Sequence, residues 1–358
     1  MTMAGNDGVS IIVCCYNSVS RLPGTLQHIA RQKVSAHIPW EVVVIDNAST
    51  DATGEAARLE WEKTASKAPF RVVEQQEPGL SAAREKGVEE SRYEFMIFCD
   101  DDNWLCEDYV ENAHKIMHDD PLIGVLGGQG ETESEIIPPK WYEKYFLYYA
   151  VGPQGDRSGN VTNTKGYVYG AGFVVRRSAW LKLRQAGFTS QLTGRKGDSL
   201  SSSEDRELCY ALRLLGYKIW YHEKLTFKHS ISIGRLEWSY FLRLVETAHR
   251  TIPQMDAYMA VLNGEMITQS LRWYWLRQCS AILRQLIKNP KFFISVVRGG
   301  EGSRAVVQWH RMRGELYGWW SVGGNFVQLY ETVRQLQAAR DRGQGDNKFI
   351  TDVQETGV

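Results

Sequence analysis

Short apolar runs alternate with amphipathic stretches through the first part of the chain. Val9–Cys15, Glu41–Ile45, Phe70–Val73 and Phe95–Cys99 are brief, rich in β-branched or aromatic side chains and closed by polar residues, which predicts four buried strands. Helical patterns lie between them. Leu22, Leu26, Ile29 and Ala30 share one helical face, with Ser20 as a candidate cap, and an Ala-rich helix is predicted around 52–66. Pro78-Gly79-Leu80-Ser81 turns into a third helix that carries Arg84 and Lys86. Strand, helix and strand repeating at this spacing predict an α/β fold, a parallel sheet with helices on both faces.

Further along, 104–118 predicts a helix with Leu105, Tyr109, Ala113 and Ile116 on one side, and Ile123–Gln129 a strand. The Trp- and Tyr-rich segment 141–150 predicts a loosely periodic buried helix. Tyr167–Val175 predicts a strand interrupted by Gly170 and Gly172, where glycine often marks close approach of a ligand or of another backbone. Gly194–Ser203, mostly Gly, Ser, Lys and Arg around one leucine and one aspartate, has the composition of a loop that closes over a site. Leu208, Ala211, Leu212 and Leu215 then form a helical stripe that Gly216 ends, and Tyr217–Tyr221 and Leu225–Lys228 predict two strands.

Polar groups gather where these strands end. Asp100, Asp101, Asp102 and Asn103 follow the fourth strand, and open α/β sheets bind ligands at that edge. Three adjacent carboxylates repel one another unless a cation or a set of donors compensates them, and hard oxygen ligands suit Mg²⁺ or Mn²⁺. A solvated acidic turn is the alternative. Tyr16 and Asn17, Asp46, and Arg84 add polar groups after the other strands, although Asp46 equally suits a helix cap and Arg84 a solvated helix face. No G-x-G-x-x-G follows the first strand, which counts against a dinucleotide-binding dehydrogenase. Glu204 and Asp205 open a helix, where acids serve as caps or as catalysts, and pattern alone leaves both open. His229 stands by itself after a strand, as a structural histidine or as a ligand.

The totals refine the picture. At 358 residues the chain exceeds the usual single domain, and its 42 basic and 42 acidic residues give no footprint for nucleic acid. The six cysteines lack C-x-x-C spacing and read as reduced and buried. The polar N-terminus runs straight into a strand with no signal-peptide pattern, and no run of eighteen apolar residues occurs, so a cytoplasmic location is expected. Beyond about 235, Trp and Phe are interspersed with Arg272, Arg277, Arg284, Lys288, Lys291 and Arg298. Such helices either lie peripherally on an anionic membrane, at the inner face of the cell membrane, or pack on the first domain with their arginines in solvent; the membrane reading is slightly preferred. The division that follows is 1–235 catalytic, 236–340 helical extension and 341–358 polar tail.

With Tyr16-Asn17, Asp46-Asn47-Ala-Ser49-Thr-Asp51, Pro78-Gly79-Leu80-Ser81-Ala-Ala83-Arg84, the acids at 100–102 and Ser203-Glu204-Asp205 in this order, residues 8–232 resemble an inverting family 2 glycosyltransferase. The resemblance implies a GT-A, Rossmann-like sandwich that binds a nucleoside diphosphate sugar with Mg²⁺ or Mn²⁺. It implies that Asp46 reads the nucleotide base, that Tyr16 and Asn17 line base and ribose, and that Arg84 meets base or phosphates. Ser49 and Gly79 belong to the same implied donor site. It places Asp100 or Asp101 toward ribose and sugar as part of the D-x-D motif, and Asp102 on the metal, with His229 as a further metal ligand. It makes Asp205 the general base and Glu204 an acceptor-orienting partner.

The chemistry holds together without the family. Inverting sugar transfer needs a base for the acceptor hydroxyl and an electrophile for the departing diphosphate, and no covalent nucleophile. The resemblance implies the partners: a nucleoside diphosphate sugar, with a uridine diphosphate sugar as the default because such donors are common in the family, and a glycan or lipid-linked acceptor. Two rivals stay open. A nucleotidyltransferase would need a glycine-rich basic loop where Cys15-Tyr16-Asn17-Ser18 stands, and a nucleotide-binding membrane scaffold would not need the acids.

Overall fold

The computed structural model describes residues 7–192, 203–266 and 273–355, with side chains described through residue 340. The first four apolar runs become β1 (Val9–Cys15), β2 (Trp40–Asn47), β3 (Phe70–Gln75) and β4 (Phe95–Asp100). They lie side by side in the order β3-β2-β1-β4, all parallel. The crossovers are α1 (Leu22–Ala30), α2 (Thr53–Glu62) and α3 (Leu80–Glu90). Helices on both faces explain why β1 and β4 are apolar without alternation: every residue from Phe95 to Cys99 is buried. Register then sets the site. Cys15 pairs with Asp46 and Cys14 with Asp100, so the polar residues that end these strands come out level along one edge.

Past β4 the sheet is mixed. β5 (Asn103–Leu105), β6 (Ile123–Glu133), β7 (Gly159–Asn160), β8 (Val174–Arg176) and β9 (Lys218–Ser230) complete it. β8 runs antiparallel between β4 and β6, β6 and β9 are parallel, and β5 and β7 flank β9 antiparallel. A parallel sheet therefore describes the first four strands and the β6–β9 pair, not the whole.

Several local expectations are corrected. The helix expected at 104–118 is α4 (Tyr109–Asp119), because Asn103–Leu105 pairs with residues 227–229 of β9, and a three-residue strand is too short to show a period. The helix expected at 141–150 is two 3-10 turns, Tyr142–Lys144 and Phe146–Tyr149, and Ala150 at φ +55° ends the second. The strand expected over Tyr167–Val175 pairs only from Val174 onward, since Gly172 turns the chain at φ +68°. Ser20 does not cap α1; the Ser18 carbonyl receives the Arg21 and Leu22 N–H groups, and Pro23 sits in the first turn. The two strands expected at 217–221 and 225–228 are one long β9. Residues 194–202 of the expected closing loop, and Arg272, lie outside the described residues.

After α5 (Arg177–Gln185) and α6 (Glu204–Leu214), ended by Gly216 at φ +90°, come α7 (Trp238–Arg250), α8 (Ile252–Leu262) and α9 (Tyr274–Lys288). Then follow α10 (Pro290–Val297), α11 (Arg304–Val322) and α12 (Phe326–Glu355). The helices from α7 onward pack on the first half of the chain or on one another. Tyr258 of α8, Trp319 of α11 and Tyr330 of α12 share one buried cluster with Leu208 and Leu212 of α6 and Phe98 of β4. α9 buries only Cys279 and Ile282, and α10 buries nothing. Among the described residues no helix is long and apolar enough to cross a membrane.

Candidate active site

A cavity of about 570 Å³ opens at the edge where the parallel strands end. It is lined by Tyr16 and Arg21 after β1, Asn47 at the end of β2, Gly79 and Arg84 of the third crossover, and Asp100, Asp101 and Asp102 where β4 ends. Gly170, Glu204, Asp205, His229 and Arg235 line it as well, so the acids from the two ends of the first domain share one cleft.

The three aspartates are compensated by different partners. Asp101 pairs with Arg21 at 2.7 Å and accepts from the Ser18 hydroxyl. Burial and the neighbouring Asp102 charge still raise its carboxyl above the usual range, with Arg21 opposing them. Asp102 is 7% exposed. Its Oδ1 accepts from Asn103 Nδ2 at 3.1 Å, and its Oδ2 accepts from Arg235 Nη1 at 2.8 Å and lies 3.4 Å from His229 Nε2. Asp100 faces the cavity, its own N–H bonded to Asn103 Oδ1 at 3.3 Å.

His229 is held in one tautomer. Its Nδ1 lies 2.6 Å from the Tyr149 carbonyl, which only accepts, so Nδ1 carries the proton and Nε2 presents its lone pair toward Asp102. Arg235 Nη1, 3.2 Å from that Nε2, takes up the lone pair. A carboxylate oxygen and an oriented imidazole nitrogen, already bridged by a positive group, fit a divalent cation such as Mn²⁺.

The opposite acids sit in the first turn of α6. Asp205 Oδ2 accepts from the Gly170 N–H and its Oδ1 from the Arg206 N–H, both at 2.7 Å. Glu204 Oε1 is 3.2 Å from Arg84 Nη1. Arg84 is 5% exposed, with its guanidinium 5.2 Å from the Phe173 ring centre. Burial alone would lower its affinity for a proton, but Glu204 and Asp100 raise it. Gly170 leaves room for both: a Cβ there would stand 2.9 Å from Arg84 Nη2 and 3.1 Å from the Asp205 Cβ, so one of them would have to shift.

A sequence model described as Glycosyl transferase family 2 matches residues 10–183. That part of the chain belongs to the family. The glycosyltransferase GlyA of Streptococcus pneumoniae is 29% identical over 243 residues, 65% of this chain and 32% of that protein. The putative glycosyltransferase EpsH of Bacillus subtilis is 31% identical over 125 residues, 35% of each chain. These matches span about a third of each relative's own length. Among solved structures, the mannosyltransferase PcManGT from Pyrobaculum calidifontis, in complex with GDP-Man and Mn²⁺, superposes with a TM-score of 0.54 at 16% identity. That superposition covers 93% of this chain and 89% of that one, a likeness of fold, and the fold is the GT-A type.

The structure sorts the expected site residues. Tyr16, Gly79, Arg84, Asp100, Asp101, Asp102, Glu204, Asp205 and His229 line the cavity. Asn17, Asp46 and Ser49 are not among the lining residues. Asn17, at φ +49°, uses its Oδ1 to accept the Thr50 N–H, and Ser49 Oγ accepts the Asn17 N–H, so this pair ties the β1 and β2 turns together. Asp46 keeps one buried oxygen, Oδ1, without a hydrogen-bond partner among the described residues. Gly79 takes φ +135°, which favours glycine, and gives its N–H to Asn47 Oδ1 at 2.7 Å. Sequence reading missed Arg21 and Arg235, whose charges meet Asp101 and Asp102. Neither stands in a local pattern that marks it, and each meets its acid only through the fold.

Proposed function

We propose that the chain is a metal-dependent inverting glycosyltransferase that moves a sugar from a nucleoside diphosphate sugar to a hydroxyl of a glycan or lipid-linked acceptor. One observation carries the reading: Asp102 with His229, and Asp205 with Glu204, line the same cleft although Asp102 and Asp205 lie 103 positions apart in sequence (205 − 102). The unpartnered oxygen of Asp46, the neighbour of the cleft residue Asn47, supports a nucleobase N–H as its partner, and a uridine diphosphate sugar is the default donor of the family. Mg²⁺ or Mn²⁺, held by Asp102 and His229, would neutralise charge on the leaving diphosphate.

The chain's own residues account for the rest. Asp205 is fixed by two backbone N–H groups and is the base that receives the acceptor hydroxyl proton. Glu204, anchored by Arg84, orients that hydroxyl, and Tyr16 covers the donor at the cavity mouth. Inversion follows from one direct displacement, with no side chain required as a nucleophile. Asp205→Asn should abolish turnover while nucleoside diphosphate binding, followed by thermal shift with Mn²⁺, survives. Loss of both in parallel would remove Asp205 from the base role, and a panel of nucleotide sugars that leaves the melting temperature unmoved would remove the donor site.

The acceptor side extends to peripheral contact with an anionic membrane. Residues 266–300 hold six basic residues and no Asp or Glu, and α10 turns Phe293, Ile294 and the 85%-exposed Val297 outward. An apolar face rimmed by Lys288, Lys291 and Arg298 is the composition of an interfacial helix.

A further inference from the structure

A second cluster of ligating side chains lies at the other end of the sheet from the cleft. His114 and His118 are one turn apart on α4, a spacing that places both imidazoles on one helix face. Asp7, just before β1, reaches both: its Oδ1 is 3.3 Å from His114 Nε2 and its Oδ2 is 3.0 Å from His118 Nδ1. All three donor atoms fall within 4.8 Å of one another. His114 is fixed by its edge-on contact with Phe95, the first residue of β4, with ring centres 5.4 Å apart. His118 and Asp7 are 59% and 42% exposed, which leaves an open side for entry and for a fourth ligand. Sequence analysis assigned these residues nothing, and the transfer reaction does not use them.

We propose that Asp7, His114 and His118 form a site for Zn²⁺ or a similar borderline divalent ion. Tetrahedral zinc with bonds of about 2.0–2.2 Å separates neighbouring ligand atoms by about 3.3–3.5 Å, and the two carboxylate–imidazole separations already lie near that range. Two imidazoles with one carboxylate select zinc over Mg²⁺ and favour it over Mn²⁺, in contrast to the oxygen-rich cleft. Burial lowers the His114 affinity for a proton, with Asp7 opposing it, which favours the neutral ring a metal requires. Glu111 is engaged by Ser35, and Arg176, the fixed cation on the Phe95 ring, points its guanidinium nitrogens at the Met117, Asp120 and Ile123 carbonyls. The ion would fasten the segment entering β1 to the last turns of α4. The competing account is a pair of imidazole–carboxylate hydrogen bonds with no ion.

The test is calorimetric titration of the EDTA-stripped full chain with ZnCl₂ and with MgCl₂. It is done in a His229→Ala background, so that the cleft pair contributes nothing. His118→Ala and Asp7→Asn, both at exposed positions, are compared with that parent, and Co²⁺ absorption reports the coordination. The expected result is one equivalent of Zn²⁺ bound, no Mg²⁺ heat, tetrahedral Co²⁺ bands, and a loss of about tenfold or more in affinity in either variant. Zinc affinity unchanged in both variants, or no zinc heat in the parent, overturns the site. The outcome is independent of whether the cleft binds a nucleotide.

Discussion

Replacing Arg235 with Gln should separate two tasks that one positive charge performs in this structure. Its guanidinium bridges Asp102 Oδ2 at 2.8 Å and His229 Nε2 at 3.2 Å, and its side chain is 14% exposed. A unit charge about 4 Å from a carboxylate interacts by about 4 kcal/mol at an effective dielectric constant near 20. Removing one partner of a buried pair costs about 3–5 kcal/mol, because the other charge stays desolvated. In EDTA, Arg235→Gln should therefore melt roughly 5–10 °C below the parent. A divalent ion bound by the same two atoms restores the missing charge and no longer competes with the guanidinium. Mn²⁺ should then raise the melting temperature of the variant by several degrees more than that of the parent, and bind it about tenfold or more tightly in calorimetry. The Tyr149 hydroxyl bond to the Arg235 carbonyl is kept in the variant, so the turn has a reason to persist. Equal Mn²⁺ shifts in both proteins, or a melting temperature unchanged in EDTA, would refute the claim that Arg235 and the ion share one position.

Gly170→Ala places a methyl 2.9 Å from Arg84 Nη2, so Arg84 or Asp205 must move; turnover should fall about tenfold or more with nucleoside diphosphate affinity within about threefold, as steady-state kinetics and titration would show. Asp256 on α8 is raised to about 6 by burial, with the Glu315 and Glu265 charges adding to it. The folded state therefore binds more protons than the unfolded one between the ordinary carboxylate range and pH 6, and stability falls as pH rises through that window. Asp256→Asn should accordingly stabilise by roughly 1–2 kcal/mol at pH 7.5 and by little at pH 4, read as melting temperature. Liposomes containing anionic lipid should float the full chain, and Ile294→Glu with Val297→Glu should abolish flotation without altering turnover on a soluble acceptor; flotation equal to the parent's would exclude α10 as the contact.

The parts of the molecule readable from sequence are those in which one short stretch carries its own cause. Phe95–Cys99 is apolar because both its faces are covered, and the acids after it come out at the ligand edge by topology alone. Gly170 looked like a marked position inside a strand; it proves to be the place where the Asp205 and Arg84 side chains approach the backbone, with no strand there. What local pattern could not reveal is compensation across the fold. Arg21 looks like any solvated arginine until α1 docks it on Asp101, and Arg235 belongs to an unremarkable turn until β9 carries His229 alongside β5 and Asp102. Glu207, in the first turn of α6 just before the Leu208 stripe, should have been solvated by its type. It is instead fully buried, accepting the Ser190 and Tyr258 hydroxyls and the Gln191 and Leu192 N–H groups. Through Tyr258 that carboxylate joins α8 to α6, the helix that carries Asp205. The C-terminal helices are therefore coupled to the acid assigned as the base by buried polar contacts as well as by packing, and truncating the chain near residue 240 would disturb the cleft together with any membrane contact.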